Sequence, residues 1–590
     1  MQLCRVGIER FNGIKKLDLS LENSLQLIAG PNNSCKSTIL KAIHYFFICF
    51  ENIPISDYEP QNSYYKMETR STTKIRLHFN NLNETEMDIF RKNWLVRNKE
   101  IWIELRLDRR GEITFFSSGN ENPKATYEAL VDSYQVIYVP AVRAGTADLR
   151  AIETRKLFVT ARSVLSKKKR GRLSQLQKSF ADATKQVTNI MQSLLEESLA
   201  HVKESLPSEA EIKFKFPDSD EALDLLLGRT TISTRTGTNL TIDDEGTGFQ
   251  SLLSLGLLKY IESIGSGQNL LFLVEEPEAF LHPQYQRAVS DYLKQLAKKS
   301  QVLISTHSSI LVDSVELSHI ARLIKNHNGL EYRWKWEQAA LKRLKYLSRY
   351  CDAKNSELIF AEKVILCEGI TDKNVICEIY RQTHNSEHHN SNISVISGDG
   401  SAIAHIAHIM KLFNIESIIV MDKDNYSGDR ECLKKICQEK DLPLNNIDYR
   451  VLDEAKSTKC TNFSEAVIVR DNVNHIFKSR NLFLLGGDIE SAVIHSYSKA
   501  RILENLGPNG LEHIKQEVMS ELTELSGESF INRINQLVGS KGWGTNKPIK
   551  ENKPKPHVLQ NFIANAGIRS FKANSDMSSL SEAISLFLKT

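Results

Sequence analysis

The stretch QLIAGPNNSCKSTILKAI, residues Gln26 to Ile43, decides how the first half of the chain folds. An apolar run leads into a glycine- and asparagine-rich turn and then into apolar residues at helical spacing, which predicts strand, loop and helix in that order. This order is typical of a phosphate-binding loop, G-x-x-x-x-G-K-[ST]. Cys35 occupies the position of the second glycine. The alternative interpretation is an ordinary glycine–asparagine turn before a helix.

Three chemical roles are retained in this loop. Backbone N–H groups at a helix N-terminus bind phosphate oxygens, the Lys36 amine reaches the β- and γ-phosphates, and the Ser37 hydroxyl is a magnesium ligand. The residue before the lysine needs a positive φ, which costs a residue with a side chain roughly 1 kcal/mol or more. We therefore expect Cys35 to weaken ATP binding without abolishing it, as in a nucleotide sensor. The predicted nucleotide contacts are Gly30, Asn32, Asn33, Ser34, Cys35, Lys36, Ser37 and Thr38.

Length and composition limit the classes of function. A chain of 590 residues predicts about three or four domains. The 76 basic and 72 acidic side chains nearly balance, so any nucleic-acid contact is expected from local basic patches. No apolar stretch has the length of a membrane span, and the nine cysteines form no C-x-x-C pair. These features predict a cytoplasmic protein with reduced thiols and no membrane partner.

Polar residues farther along the chain complete the nucleotide site. LLFLVEEPE is a buried strand that ends in Glu275 and Glu276. The first carboxylate is expected to hold the magnesium shell, and the second to activate the attacking water. The strand QVLIST leads to His307, a donor for the γ-phosphate. The order and spacing of these motifs predict a site that is split along the sequence.

A glycine-rich turn, DEGTGFQS, precedes a further helical stretch and supplies Gly246, Gly248 and Gln250 as another predicted phosphate contact. The order of these motifs resembles that of ABC-type ATPases of the RecF and SMC kind over residues 1–345. The resemblance implies that the turn stands for the signature motif, although GTGFQS departs from Leu-Ser-Gly-Gly-Gln, and that it meets the phosphate loop of a second copy. A homodimer or higher homo-oligomer is therefore expected, joined by a helical arm at residues 156–210. A solvated pair of charged helices is the alternative for that segment.

Carboxylates at the ends of two later strands form a second group. KVILCEGITDKNVI predicts a buried strand that stops at Glu368, with a helix that begins after Asp372. SIIVMDKDNYSGD predicts another buried strand that ends in Asp422 and Asp424. Carboxylates on two neighbouring strand ends make a site for Mg²⁺ or Mn²⁺ and are unsuited to zinc.

A third apolar segment, NLFLLGGDIESAV, carries two more acids past a Gly-Gly turn. One of Asp488 and Glu490, with Glu490 preferred, is expected to complete a second metal site. The pattern of Glu-Gly with a following Asp, and then Asp-x-Asp, resembles the Toprim domain, here over residues 358–500. Toprim domains occur in topoisomerases, primases, recombination proteins and nucleases, so the fold alone does not select the reaction.

An ABC-type head followed by Toprim resembles the overcoming-lysogenization-defect (OLD) family of nucleases, including those of Gabija-type and retron-associated phage defence. The implied fold is α/β: an ABC-type ATPase head with an inserted helical dimerisation arm, then a Rossmann-like Toprim domain and a small helical C-terminal region. The predicted limits are residues 1–155 and 211–345 for the two parts of the ATPase, 156–210 for the arm, 346–500 for Toprim, and 501–590 for the C-terminal region with its basic loop.

The resemblance implies an ATP-binding, divalent-metal-dependent DNA endonuclease of anti-phage defence. Its metal and catalytic residues would be Glu368, Asp372, Asp422, Asp424 and Glu490, with Glu276 and Ser37 at the nucleotide. The family also implies a lysine near the C-terminus; Lys555 is preferred, while Lys541, Lys547 and Lys553 stay open. KKKRGR at 167–172 and the lysine-rich loop at 541–555 would grip DNA. A helicase, or a retron reverse transcriptase with its nucleic acid, is the expected kind of accessory partner.

Two other functions compete with the nuclease. The first is a noncatalytic, ATP-gated DNA scaffold or clamp. The second is a Toprim enzyme of repair or topology: a topoisomerase needs a nucleophilic tyrosine in a separate DNA-binding domain, and a primase usually brings a zinc-binding cysteine cluster. Neither context is recognisable in the sequence.

Overall fold

The structure is a computed structural model. It describes residues 1–21, 23–49, 72–91, 99–108, 112–118, 122–139, 141, 231–233, 239–241, 269–279, 281–324, 332–334, 345–351, 355–398, 402–427, 430–458, 463–505, 516–538 and 557–589. The chain forms two compact units. Unit 1 comprises Met1–Ala29, Asn33–Ser314 and His319–Lys335, and unit 2 comprises Gly30–Asn32, Val315–Ser318 and Trp336–Thr590.

The described residues of unit 1 form two large sheets, a short two-stranded sheet of residues 231–233 and 239–241, and the helices around them. Its elements are β1 Gln2–Phe11, β2 Ile14–Ser20, β3 Leu25–Ala29, α1 Lys36–Ile48, β4 Thr73–Asn80, α2 Glu84–Arg91, β5 Ile101–Leu107, β6 Ile113–Ser117, α3 Pro123–Ser133, β7 Tyr134–Val139, β8 Thr231–Ser233, β9 Asn239–Thr241, β10 Asn269–Glu275, α4 Pro283–Leu296, β11 Gln301–Ser305, α5 Ser309–Asp313, β12 Ile320–Arg322 and β13 Tyr332–Trp334.

The larger sheet of unit 1 is mainly antiparallel, in the order β13-β2-β1-β4-β5-β6. Its long strands alternate buried and partly exposed residues, as in Thr73–Asn80, because one face of the sheet packs against the core. The second sheet has the order β12-β3-β11-β10-β7 with parallel pairings. Its central strands β3, β10 and β11 are buried almost throughout, as expected of a parallel sheet covered on both faces.

Helix α1 packs against both of the large sheets of unit 1. Its apolar side chains recur at helical spacing, and Ile39, Leu40, Ile43 and Phe46 are at most 1% exposed. The hydroxyl of Tyr127 donates to the carbonyls of Phe46 and Phe47 near the end of the helix, at 2.9 and 3.1 Å. The phosphate loop lies between the carboxyl end of β3 and the N-terminus of α1.

Unit 2 is built on one four-stranded parallel sheet and a set of helices. Its elements are β14 Lys363–Cys367, α6 Ile370–His384, β15 Ile393–Ser397, α7 Ile403–Leu412, β16 Glu416–Met421, α8 Asp424–Ser427, α9 Glu431–Glu439, α10 Asn446–Ser457, α11 Phe463–Phe477, β17 Leu482–Leu484, α12 Ile489–His495, α13 Lys499–Asn505, α14 Gln516–Glu524, α15 Gly527–Val538, α16 His557–Ala566 and α17 Asp576–Lys589. Short 3₁₀ turns in the chain span Leu317–His319, Ser348–Tyr350, Ser356–Ile359, His388–Ser391, Lys478–Arg480 and Ile568–Ser570.

The register of this sheet brings three strand ends together. The strand order is β15-β14-β16-β17, and Cys367 pairs with Ser397 while Met421 pairs with Leu484. Because all four strands are parallel, the residues that follow β14, β16 and β17 leave the sheet at one edge. The C-terminal helices belong to the same core, since Leu559, Phe562 and Met577 cluster with Val375 and Val420.

Two expectations about the chain as a whole concern membranes and thiols. None of the helices in the described part of the chain combines the length and apolar character that crossing a bilayer requires. The eight cysteines in the described residues are free thiols.

Candidate functional site

The phosphate loop has the strained backbone that the sequence predicts. Cys35 is the N-cap residue of α1, with φ 63° and ψ 26°, in the left-handed region. This region favours glycine because a side chain is sterically disfavoured there. The expectation of a positive φ at position 35 is confirmed, and Ser37 and Thr38 lie in the first turn of α1.

The Cys35 side chain is accommodated by a second glycine from outside the loop. Gly13 lies in the turn between β1 and β2, where Phe11 pairs with Ile14. A carbon atom in place of its hydrogen would come within 2.9 Å of the Cys35 Sγ. The thiol therefore occupies space that only a glycine at position 13 leaves open, while the strain in the backbone of Cys35 remains.

Lys36 lies among the acidic residues of the neighbouring strand end. Its amine donates to the Ser34 hydroxyl at 3.4 Å, and the residue is 5% exposed. Burial lowers the pKa of Lys36 to about 8, against the opposing effect of the negative charges of Glu276 and Glu278. The lysine of the loop and Glu276, both predicted site residues, are thus brought together, and Glu278 lies with them.

His307 and Glu276 face each other across adjacent strands. His307 Nε2 lies 3.8 Å from Glu276 Oε1. Burial and the positive charge of Lys36 lower the pKa of His307, so the ring is neutral at pH 7. Glu276 has a left-handed backbone, φ 42°, and its N–H donates to the carbonyl of Ser305 at 2.8 Å. The buried Glu275 ends β10 itself.

Glu278 is a member of this site that the sequence reasoning missed. Its Oε1 accepts from the Thr306 hydroxyl and from the His307 N–H, both at 2.7 Å. Burial raises the pKa of Glu278 above its ordinary value. Because this carboxylate accepts from the backbone N–H of His307, it fixes the position of the backbone that carries the imidazole side chain. The signal was present in the sequence as the third acid of EEPE, two residues after Glu276.

Three carboxylates converge at the edge of the sheet of unit 2. Glu368 directly follows β14, Asp422 directly follows β16, and Asp424 begins α8. One oxygen from each lies within 4.8 Å of the other two. Glu368 and Asp422 are half-buried and Asp424 is exposed, so the cluster opens to solvent on one side.

Glu368 is held in place by the loop that carries the two aspartates. Its Oε1 accepts from the Asp422 N–H at 2.7 Å and from the side-chain amide of Asn425. Asn425 was not predicted from the sequence, because asparagine in a loop after a strand is common. Its position three residues after Asp422 is the signal that could have identified it.

Asp372 belongs to the same electrostatic cluster. The helix begins at Ile370, so Asp372 is its third residue and does not precede it, which corrects the expected helix start. The reason is a capping interaction: Asp372 Oδ2 accepts from the Gly369 N–H at 3.1 Å. Burial, reinforced by the charges of Glu368 and Glu490, raises the pKa of Asp372 to about 7. Its buried Oδ1 has no hydrogen-bond donor among the described residues.

Asp422 is surrounded by the other carboxylates of the cluster. Burial, followed by the charges of Asp372 and Glu368, raises its pKa well above the ordinary value, and Asp488 and Glu490 add to this effect. Its buried Oδ1 also has no donor within the described part of the chain. Buried carboxylate oxygens without donors, surrounded by further carboxylates, fit a divalent cation, because a cation removes both the repulsion and the desolvation cost.

Asp488 and Glu490 reach this cluster from the Gly-Gly turn after β17. Asp488 caps α12, its Oδ1 accepting from the Ser491 N–H at 3.0 Å, and Glu490 lies in the first turn of the helix. The charge of Glu490 acts on both Asp372 and Asp422. The preferred residue of the third segment is therefore close to the other predicted acids.

Comparison with known proteins assigns both units. Residues 56–312 match the model of an AAA ATPase domain, and residues 359–424 match that of the overcoming lysogenization defect protein-like TOPRIM domain. The chain is 25% identical over 462 residues to an OLD nuclease of Thermus scotoductus, covering 74% of this chain and 85% of that protein. The chain therefore joins an ATPase domain to an OLD-like TOPRIM domain and is similar to the OLD nucleases.

Other relatives are matched over shorter parts of the chain. The Old nuclease of Escherichia phage P2 is 27% identical, over 31% of this chain and 33% of that protein. The endonuclease GajA of Bacillus cereus HuB5-5 is 24% identical, over 45% of this chain and 49% of that protein. Among solved structures, an SMC head bound to the C-terminal winged-helix domain of ScpA matches with a TM-score of 0.36 and 14% identity, covering 58% of this chain and all of that one.

The two matched ranges include only some of the predicted site residues. The Toprim match includes Glu368, Asp372, Asp422 and Asp424 and ends before Glu490, while the ATPase match begins after the phosphate loop. Several predicted features lie outside the described residues. They are the arm at 156–210, Gly246, Gly248, Gln250, the basic run 167–172, and the lysines Lys541, Lys547, Lys553 and Lys555.

Proposed function

We propose that this protein is an ATP-binding, divalent-metal-dependent DNA endonuclease that acts in anti-phage defence in the cytoplasm. The observation that carries the proposal is the convergence of Glu368, Asp422 and Asp424 within 4.8 Å, with buried oxygens of Asp372 and Asp422 that lack donors among the described residues. The nuclease names of its OLD and GajA relatives support the same reaction.

The proposed metal centre divides into two groups of ligands. Glu368, Asp422 and Asp424 would hold one Mg²⁺ or Mn²⁺, and Asp372 with Glu490 would contribute to a second. Bound cations of this kind supply activation of water and stabilisation of the leaving oxygen of a phosphodiester. Asn425 keeps Glu368 turned toward the cluster. The exposed side, next to Asp424, leaves room for the DNA backbone, and Lys555 is the proposed donor to the scissile phosphate.

The proposed role of unit 1 is to bind ATP and to act as a nucleotide sensor. The Lys36 amine, partly desolvated and facing Glu276 and Glu278, would contact the β- and γ-phosphates. Glu276 would orient the attacking water, and His307, neutral and anchored through Glu278, would donate to the γ-phosphate. The strain at Cys35 supports weaker binding and slower turnover than a glycine would give.

Assembly and partners complete the proposal. The resemblance to ABC-type heads supports a homodimer or higher homo-oligomer, because such heads clamp nucleotide between two copies. Relatives that include GajA endonucleases support a place in phage defence. A helicase, or a retron reverse transcriptase with its nucleic acid, is the proposed kind of accessory partner.

A plasmid assay tests the proposed reaction. Supercoiled DNA is incubated with the full-length protein in Mg²⁺ or Mn²⁺, with EDTA as the metal-free arm, and the products are separated on a gel. We expect nicked or linear DNA only with the metal, and none with Glu368→Ala. The matched control is Glu416→Ala, which removes an exposed acid at the opposite end of β16 and should cut normally. DNA binding without cleavage under all conditions would favour the noncatalytic scaffold.

A further inference from the structure

The segment that carries Asp488 and Glu490 is held at both ends by one stretch near the C-terminus. We call Lys572–Met577 the C-terminal clasp. At one end, Asp576 Oδ1 accepts from the N–H of Gly486 in the Gly-Gly turn at 3.2 Å. At the other end, the N–H of Lys572 donates to the carbonyl of Ser496 at 2.8 Å, and the N–H of Met577 donates to the Ser496 hydroxyl at 3.2 Å. Both ends of residues 486–496 therefore depend on the C-terminal clasp.

The C-terminal clasp is fixed in turn by one arginine from α11. Arg470 Nη1 donates to Asp576 Oδ1 at 2.6 Å, and both side chains are completely buried. The other terminal nitrogen, Nη2, donates to the carbonyl of Asn574 at 2.8 Å and to the hydroxyl of Ser579 at 3.2 Å. A buried ion pair adds little net stability, since desolvation offsets its Coulomb energy. The planar guanidinium of Arg470 makes several hydrogen bonds at once, and this geometry restricts the position of Asp576.

The Gly-Gly turn is also hydrogen-bonded to the loop that carries Asp422 and Asp424. The N–H of Lys423, the residue between Asp422 and Asp424, donates to the carbonyl of Gly487 at 3.1 Å, and the N–H of Leu485 donates to the carbonyl of Met421 at 2.8 Å. The same turn is thus hydrogen-bonded to Asp576 on one side and to the loop that carries Asp422 and Asp424 on the other. Hydrogen bonds therefore connect Arg470 to Asp576, Asp576 to the Gly-Gly turn, and that turn to the backbone N–H of Lys423, which lies between Asp422 and Asp424.

We propose that Arg470 and Asp576 are a positioning pair for the metal centre, which makes the C-terminal clasp a functional part of the nuclease unit. The inference rests on the proposed function. Neither side chain would touch the cation; the pair sets the distance between the acids of residues 488–490 and those of residues 422–424. Outer residues that orient metal ligands typically change metal affinity by about 10- to 100-fold.

The test measures binding of Mn²⁺ alone to the full-length protein, from the electron paramagnetic resonance signal of the free ion. Asp576→Ala removes the acceptor of Gly486 and should weaken Mn²⁺ binding by about 10- to 100-fold. Asp576→Asn keeps an oxygen at that position and should recover most of the affinity. Because Asp576→Ala leaves the buried Arg470 with only the half-exposed Asp471 as its acidic partner, the double variant Arg470→Met/Asp576→Leu is measured beside it. This variant removes the acceptor together with the buried cation, and should weaken binding equally.

The matched control is a second buried ion pair of this unit, Arg480 and Asp448, joined at 2.8 Å. In the described part of the chain, Arg480 also bonds to carbonyls of Leu442 and Ile476, outside both metal-binding segments. Asp448→Ala should lower the melting temperature but leave the Mn²⁺ affinity within about twofold.

Two results would overturn the positioning role. Mn²⁺ binding by the Asp576→Ala and Arg470→Met/Asp576→Leu proteins at wild-type affinity would do so, as would equal weakening by Asp448→Ala. Failure of the wild-type protein to bind Mn²⁺ would instead remove the proposed metal centre, and the positioning role with it. The two failures are distinguished by the wild-type titration alone.

Discussion

Substituting Asp372 with asparagine should stabilise the metal-free protein at pH 8 and should stabilise it less at pH 5. The amide keeps the shape of the carboxyl group, and its oxygen can still accept from the Gly369 N–H that Asp372 Oδ2 binds. What the change removes is one negative charge from a buried cluster. Replacing a charged residue of a functional site often increases stability and lowers activity.

The magnitude follows from the pKa of Asp372, which burial, with the charges of Glu368 and Glu490, raises from 3.8 to about 7. The folded state then holds the proton more tightly than the unfolded state, so stability falls as pH rises from about 4 to about 7. At 1.36 kcal/mol per pH unit, the ionised group costs about 4 kcal/mol at pH 8 and about 2 kcal/mol at pH 5. Asparagine avoids this cost at every pH.

Calorimetric melting in EDTA measures the effect, on the transition that Mn²⁺ shifts in the wild-type protein. The melting temperature of Asp372→Asn should exceed that of wild type by clearly more at pH 8 than at pH 5, and Mn²⁺ should raise it less. Asp441→Asn is the control, because that aspartate is 78% exposed and paired with Lys411, and it should melt like wild type at both pH values. Equal shifts at pH 5 and pH 8, or a destabilised asparagine variant at pH 8, would refute the reasoning.

Other perturbations test the two sites separately. Asn425→Ala should weaken Mn²⁺ binding by about 10- to 100-fold, since Asn425 holds Glu368; an unchanged titration would contradict this. Cys35→Gly should tighten ATP binding in isothermal titration, because glycine adopts φ 63° without strain, and equal or weaker affinity would oppose the strain argument. Sedimentation without ATP should already give at least a dimer; a monomer with and without ATP would exclude the clamp between two copies.

Much of both sites could be predicted from sequence because each motif follows a buried strand. Lys36, Glu276 and His307 come after three strands of one parallel sheet, and parallel strands end at the same edge. The same rule placed Glu368 beside Asp422. The positive φ of Cys35 was predictable because the position before the lysine demands it, whichever residue is present.

The remaining features depend on contacts that no local pattern reveals. Gly13 makes room for the Cys35 thiol from another turn, and Asp576 bonds to Gly486 across 90 residues of chain. Glycine, aspartate and asparagine are common in turns and at helix ends for reasons of local conformation. Their presence therefore carried no sign of these partners, and only the three-dimensional packing identifies them.

DNA cleavage by Asp422→Ala, measured beside ATP binding, tests most directly whether the carboxylate cluster is the nuclease centre. The full-length variant is incubated with DNA in Mg²⁺ or Mn²⁺, and its ATP affinity is titrated in parallel with that of Lys36→Ala. We predict that Asp422→Ala loses divalent-dependent cleavage and binds ATP as wild type does, while Lys36→Ala loses the nucleotide response and still binds Mn²⁺. Undiminished cutting by Asp422→Ala would place the nuclease centre elsewhere and contradict the assignment.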